Sequence, residues 1–109
     1  MDKELHKTIN DVRNALEIGG IYIDKIILFG SRASGTANEY SDIDIAVISD
    51  DFGDMKLLER LEFVGNALAK AKIMDPVEIH AYTKEEFEAK KEGTFVGEEI
   101  KAKGVEVLA

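Results

Sequence analysis

Two aspartates, one residue apart, interrupt an apolar run, and few folds can accommodate them. Asp42 and Asp44 flank Ile43 at the head of Ile43-Asp44-Ile45-Ala46-Val47-Ile48. Strand propensity disfavours Asp, and an ionised carboxylate is rarely buried without a partner. Side chains at i and i+2 of a strand project from the same face, with a rise of about 3.3 Å per residue. Asp42 and Asp44 are therefore expected together on one face of a strand, with Ile43, Ile45 and Val47 turned to a core. Two unpaired carboxylates held that close repel each other, and a divalent cation is one natural remedy.

Upstream, the apolar run Ile26 to Phe29 delivers Gly30-Ser31, ten residues before Asp42. Glycine lets backbone approach a ligand closely and adopts positive φ without steric cost. Ser31 adds a hydroxyl where a helical turn, Arg32-Ala33-Ser34, can begin, and N–H groups exposed at a helix start receive phosphate oxygens. Two-metal sites that clamp an in-line phosphoryl displacement hold ions about 3.5–4 Å apart, a spacing that neighbouring carboxylates suit. The combination predicts a triphosphate at the turn and its metals on the aspartates, with nucleotidyl transfer as the chemistry. Gly-Ser or Asp-x-Asp alone would carry little weight; their order and the apolar context carry it.

A third acid follows in Pro76-Val77-Glu78-Ile79-His80-Ala81-Tyr82, which reads as a strand with Val77, Ile79 and Ala81 on one face and Glu78 and His80 on the other. Glu78 on a neighbouring strand would join the aspartates, as metal ligand or as general base toward an attacking hydroxyl. Its plainer role is an exposed acid on a half-buried strand, but the upstream pair favours the functional one. His80 would orient Glu78 or meet the acceptor, against the preferred account of an ordinary solvent-facing or satisfied histidine. Arg32 is balanced between a phosphate contact and a salt bridge to an acid such as Glu39. Tyr22 and Tyr40 are read as packing residues before base-stacking ones, and Asp50, Asp51 and Asp54 as turn and cap residues.

Gly30-Ser31-x10-Asp42-x-Asp44, followed by Val77-Glu78-Ile79, resembles the minimal nucleotidyltransferases of the DNA polymerase beta-like superfamily. The stretches Phe29-Gly30-Ser31-Arg32-Ala33-Ser34-Gly35 and Ser41-Asp42-Ile43-Asp44-Ile45-Ala46-Val47 are similar to its prokaryotic branch, MNT. The likeness runs on to Glu99-Ile100-Lys101-Ala102-Lys103-Gly104-Val105. The resemblance implies an α/β (α+β) fold, a small mixed β-sheet flanked by helices. It implies Mg²⁺, as two ions, on the catalytic acids Asp42, Asp44 and Glu78; the residues themselves place the nucleotide at Gly30 and Ser31, with Arg32 as a further nucleotide-binding candidate. It implies transfer of a nucleoside monophosphate, AMP from ATP, to an acceptor hydroxyl. Glu78 stands where many members have Asp, and either acid satisfies the pattern.

MNT proteins pair with small helical HEPN proteins, RNase-like toxins, and neutralise them by adenylylating a tyrosine. The resemblance thus implies a HEPN toxin partner and an antitoxin role. The alternative is a non-catalytic antitoxin, a binding module that neutralises its partner by complex formation. Three converging carboxylates favour the enzyme, because docking alone does not require them. A small-molecule nucleotidyltransferase of the aminoglycoside type is disfavoured, since those enzymes carry an additional helical domain not seen in this sequence.

Charge narrows the acceptor. Fourteen basic against twenty-two acidic residues give a net charge of −8, whereas proteins that bind polynucleotides usually carry a basic patch. The lysines of Lys84 to Lys91 and Lys101 to Lys103 are interleaved with Glu or Ala. Nucleic acid is disfavoured as a direct ligand; a protein or small molecule is the better class. The absence of cysteine excludes a disulfide framework and a thiol nucleophile. No run approaches the ~20 apolar residues of a membrane span, and the charged start shows no secretory signal. A cytoplasmic location is the default expectation, and homo-oligomerisation stays open.

The 109 residues suit one domain, 1–109. Leu5, Ile9, Val12 and Leu16 form a helical stripe ended by Gly19-Gly20. A second stripe, Leu57, Leu61, Val64 and Leu68, predicts a helix with Asp54 as N-cap. Thr83-Lys84-Glu85-Glu86 has the capping-box pattern. Gly93-Thr94 and Gly104 bracket a last short helix, and Val105 to Leu108 is expected as a terminal edge strand.

Overall fold

The computed structural model describes residues 3–37, 41–89 and 94–107. Four strands form one mixed sheet in the order β3-β2-β1-β4: β1 Lys25–Phe29, β2 Ile43–Ile48, β3 Val77–Tyr82 and β4 Val105–Val107. β1 runs antiparallel to both β2 and β4, whereas β2 and β3 are parallel. A parallel pair needs a crossover connection. Here it is a 3₁₀ turn, Asp50–Asp54, followed by helix α3, Leu57–Lys70.

Helix α1, Lys3–Ile18, buries the expected stripe of Leu5, Ile9, Val12 and Leu16. With Val64 and Ala67 of α3 it covers Ile26, Leu28, Ile43, Ile45 and Val47 on one face of the sheet. The opposite face carries Ile27, Phe29, Ala46 and Ile48 beneath Phe87, Val96 and Ile100. β2 is thus buried on both sides. Truncating Ile45, which is fully buried, to alanine is expected to cost about 2–5 kcal/mol.

Three smaller elements complete the described chain: the single turn α2, Ser31–Ser34; helix α4, Lys84–Glu88; and a π-helical segment, Val96–Lys101. The capping box at Thr83 and Glu86 is present. The terminal edge strand is present as β4, and Leu108 lies outside the described residues.

Helix α3 departs from expectation. Asp54 ends the 3₁₀ turn rather than capping the helix; α3 begins after Lys56, whose backbone N–H donates to Glu59 at 3.0 Å. Its buried residues are Arg60, Val64 and Ala67, while Leu57 and Leu61 are exposed. The rotation has a cause in Arg60. Its guanidinium donates to both carboxylate oxygens of Glu86, at 2.6 and 2.9 Å, and to the carbonyls of Met55 and Ala81. These bonds join α3 to the residue that follows the 3₁₀ turn, to the end of β3 and to α4.

Candidate active site

Strand pairing brings the acids together. Asp44, the second residue of β2, is level with Phe29 of β1 on one side and with Glu78 of β3 on the other. The parallel register also sets Ala46 level with His80. The alternation of β3 sends Val77, Ile79 and Ala81 against the α1/α3 core, so Glu78 and His80 share the face of Asp44.

Beyond Phe29 the chain turns at Gly30, with φ 74° and ψ −157°, a conformation essentially confined to glycine. The backbone N–H groups of Ala33 and Ser34 both donate to the Gly30 carbonyl at 3.1 Å, forming α2. The first N–H groups of such a turn precede its internal ladder. A Cβ on Gly30 would fall on Oδ2 of Asp44. The Gly-Ser turn and the acidic strand are therefore one assembly in direct contact.

One carboxylate oxygen of Asp44 lies within 4.8 Å of one of Glu78. Burial first, then the hydrogen bond and charge of Glu78, raise the Asp44 pKa above the ordinary aspartate value; Asp42 adds to this and His80 opposes it. Ligand atoms of Asp44, Glu78 and His80 all lie within 4.8 Å of one another. Asp42 stands just ahead of β2, exposed, and is not part of this tightest group, although its charge is felt by Asp44. The group could hold a hard divalent cation through its two carboxylates.

Arg32, half-buried, donates from Nη2 to the carbonyl of Ser41 at 2.9 Å. It braces the loop that leads into Asp42. Its Nε is buried without a hydrogen-bond partner among the described residues. Glu39, the expected ion-pair acid, and Tyr40 lie outside the described residues. Tyr22 is exposed, and its N–H donates to Asp51 at 2.7 Å. Asp50 accepts from the backbone of Lys84 at 3.1 Å, so these two aspartates of the 3₁₀ turn tie it to distant backbone.

His80 is a satisfied histidine on the Glu78 face, as expected, and it stands against the acids. It is half-buried, with Nε2 3.3 Å from Oε1 of Glu78. The Phe29 ring meets it edge-on at 5.1 Å and the Phe95 ring stacks on it at 5.7 Å. The alternation of β3 already placed His80 beside Glu78. Nothing in the sequence signalled Phe95, which arrives from a distant segment.

A family model described as nucleotidyltransferase domain matches residues 8–104. The chain belongs to this family. Among solved structures, the nucleotidyltransferase domain described here is similar to a candidate nucleotidyltransferase of Sulfolobus solfataricus, with a TM-score of 0.68 and 19% identity over 94% of this chain and 78% of that one. It is also similar to a second candidate nucleotidyltransferase, with a TM-score of 0.53 and 31% identity over 73% of this chain and 83% of that one. A toxin–antitoxin structure with AMP-PNP aligns at a TM-score of 0.49 and 24% identity, over 75% and 59% of the two chains, too loosely to define a shared fold. No curated protein matches the chain. Among the described residues of this nucleotidyltransferase domain, no helix is long and apolar enough to cross a membrane.

Proposed function

We propose that residues 1–109 act as one Mg²⁺-dependent nucleotidyltransferase domain that moves AMP from ATP to a hydroxyl, a tyrosine of a HEPN toxin, and thereby serves as an antitoxin in the cytoplasm. The observation that carries the reading is the register of Asp44 with Glu78 on paired strands, with Gly30 packed against Asp44. Membership of the nucleotidyltransferase family supports the reaction class.

The donor set fits Mg²⁺. Two neighbouring carboxylates, and a third just ahead of β2, offer hard oxygen donors, and the raised proton affinity of Asp44 marks negative charge that a cation would relieve. Asp42, Asp44 and Glu78 would hold the metal, which when bound lowers the pKa of a coordinated hydroxyl and stabilises charge on the transferring phosphoryl group. Gly30 offers bare backbone to the β- and γ-phosphates, and Ser31 donates its hydroxyl. Arg32 braces the loop through Ser41. The acceptor oxygen attacks the α-phosphorus in line, and the bond from that phosphorus to the bridging oxygen of pyrophosphate breaks. The hydroxyl proton leaves to a carboxylate oxygen of the cluster and then to solvent.

A protein acceptor is favoured by the openness of the acids. The Glu78 side chain is 60% exposed, so the acceptor must bring its own surface to exclude water and orient the hydroxyl. The net charge of −8 selects a basic face on that partner. The test is to mix the chain with the product of its neighbouring gene, ATP and Mg²⁺, and to measure the intact mass of both proteins. The reading predicts one added nucleoside monophosphate on a partner tyrosine, and none with Asp44→Asn. Equal neutralisation by wild type and Asp44→Asn, without any gain in mass, would favour the stoichiometric antitoxin instead.

A further inference from the structure

His80 occupies a position that the reaction above does not use. Resting on the proposed metal-dependent function, we propose that His80 is a further direct metal ligand beside the carboxylates, adding one nitrogen donor to the Mg²⁺-competent acidic site and raising its affinity for Mn²⁺ relative to Mg²⁺. Three observations converge. First, one donor atom from each of these side chains lies within 4.8 Å of the other two, so a single ion can be reached by all three with small side-chain movements. Second, Nε2 of His80 stands 3.3 Å from Oε1 of Glu78, longer than a good N–H···O hydrogen bond and close to the separation of adjacent ligands around one small cation.

Third, the ring is held from two sides. Phe29 meets it edge-on, with an interplanar angle of 75°, and Phe95 stacks on it at 18°. Phe29 is itself level with Asp44 in the β1–β2 register, so the residue that pairs with one acid also fixes the imidazole beside the other. A ring clamped in this way presents its nitrogen with little rotational freedom, as a preorganised ligand requires. An imidazole donor suits transition metals, whereas Mg²⁺ favours oxygen and water. The nitrogen therefore raises the relative affinity for Mn²⁺, and the carboxylates supply the charge.

The test uses Mn²⁺ alone, without nucleotide, so that no other nitrogen ligand competes. Pulsed electron paramagnetic resonance of the Mn²⁺-loaded chain should show ¹⁴N coupling from one histidine. His80→Gln replaces the nitrogen with an amide whose oxygen suits Mg²⁺. It should retain bound metal, abolish the coupling and lower the Mn²⁺/Mg²⁺ affinity ratio by at least about 10-fold, the lower end of what even outer-shell changes produce. Phe95→Ala, which leaves all three donors in place, should keep the coupling but weaken Mn²⁺ binding. Mn²⁺ bound without ¹⁴N coupling, with His80→Gln unchanged in affinity ratio, would overturn the assignment of His80 and leave the carboxylate site standing. No Mn²⁺ binding sensitive to Asp44→Asn would overturn both.

Discussion

The Asp44 carboxylate lies against the bare α-carbon of Gly30, at a distance that leaves no room for a side chain. This contact joins the turn proposed to hold phosphate to the strand proposed to hold metal. Gly30 meets two demands at once: a backbone conformation essentially open to glycine alone and space for an acid. Gly30→Ala is expected to destabilise the fold by about 1–3 kcal/mol and to abolish transfer by displacing Asp44. Urea denaturation and a transfer assay on the same preparation check both; a Gly30→Ala protein with normal stability and turnover would show that the contact is dispensable.

Asp44→Asn should separate stability from chemistry. An acid whose folded pKa is raised binds more protons folded than unfolded, so ionising it as the pH climbs above the ordinary aspartate range costs stability. Asn removes that cost at neutral pH. The expected result is a melting temperature equal to or above wild type, with transfer reduced by at least about 10²-fold, the scale of losing one electrostatic stabiliser from an active site. The melting-temperature difference should shrink as the pH falls and wild-type Asp44 becomes neutral.

The Arg60–Glu86 pair makes the opposite prediction. The Arg60 hydrogen bonds hold the Glu86 pKa down at about 2, against an ordinary 4.5. The pair therefore stabilises the fold fully above about pH 4.5, and that contribution is lost as the pH falls toward 2. The Glu86 side chain is 41% exposed, so solvent screening reduces the effect to about 1–2 kcal/mol. Glu86→Gln should cost that much at pH 7 and progressively less below pH 4.5, read from urea midpoints across the range.

Ser31→Ala should weaken nucleotide binding by roughly 1.5–3 kcal/mol, the worth of one hydrogen bond to a charged group. Fold stability should be unchanged, because Ser31 heads a single surface turn. Calorimetric titration with a non-hydrolysable ATP analogue and Mg²⁺ measures it. Unaltered affinity would place the triphosphate away from the turn.

Much of this arrangement was legible in the residues, and for local reasons. Period-two alternation turned Ile43, Ile45 and Val47 to the core and set Glu78 and His80 on one face. The α1 stripe and the Thr83–Glu86 box are equally local and are present in the structure. What escaped the sequence depends on contacts between distant segments. The 3₁₀ turn ends at Asp54, and Arg60 draws α3 about its axis, leaving Leu57 and Leu61 exposed although they share a helical stripe with Val64. The rings that satisfy His80 come from β1 and from Phe95, ahead of the π-helical segment, so its partners were not legible locally.

The central claim is that the acids beside Gly30 direct attack on the α-phosphorus of a nucleoside triphosphate. The most direct measurement is to incubate the chain, Mg²⁺ and the neighbouring-gene partner with ATP labelled at either the α- or the γ-phosphate. Positioning of reactants can supply roughly 7–11 kcal/mol, so the isolated chain should be nearly silent and the partner should become strongly labelled. The account predicts that label from α-phosphate reaches the partner, label from γ-phosphate leaves as pyrophosphate, and both signals vanish in Asp44→Asn. Transfer of γ-label to the partner, or α-label transfer undiminished in Asp44→Asn, would contradict it.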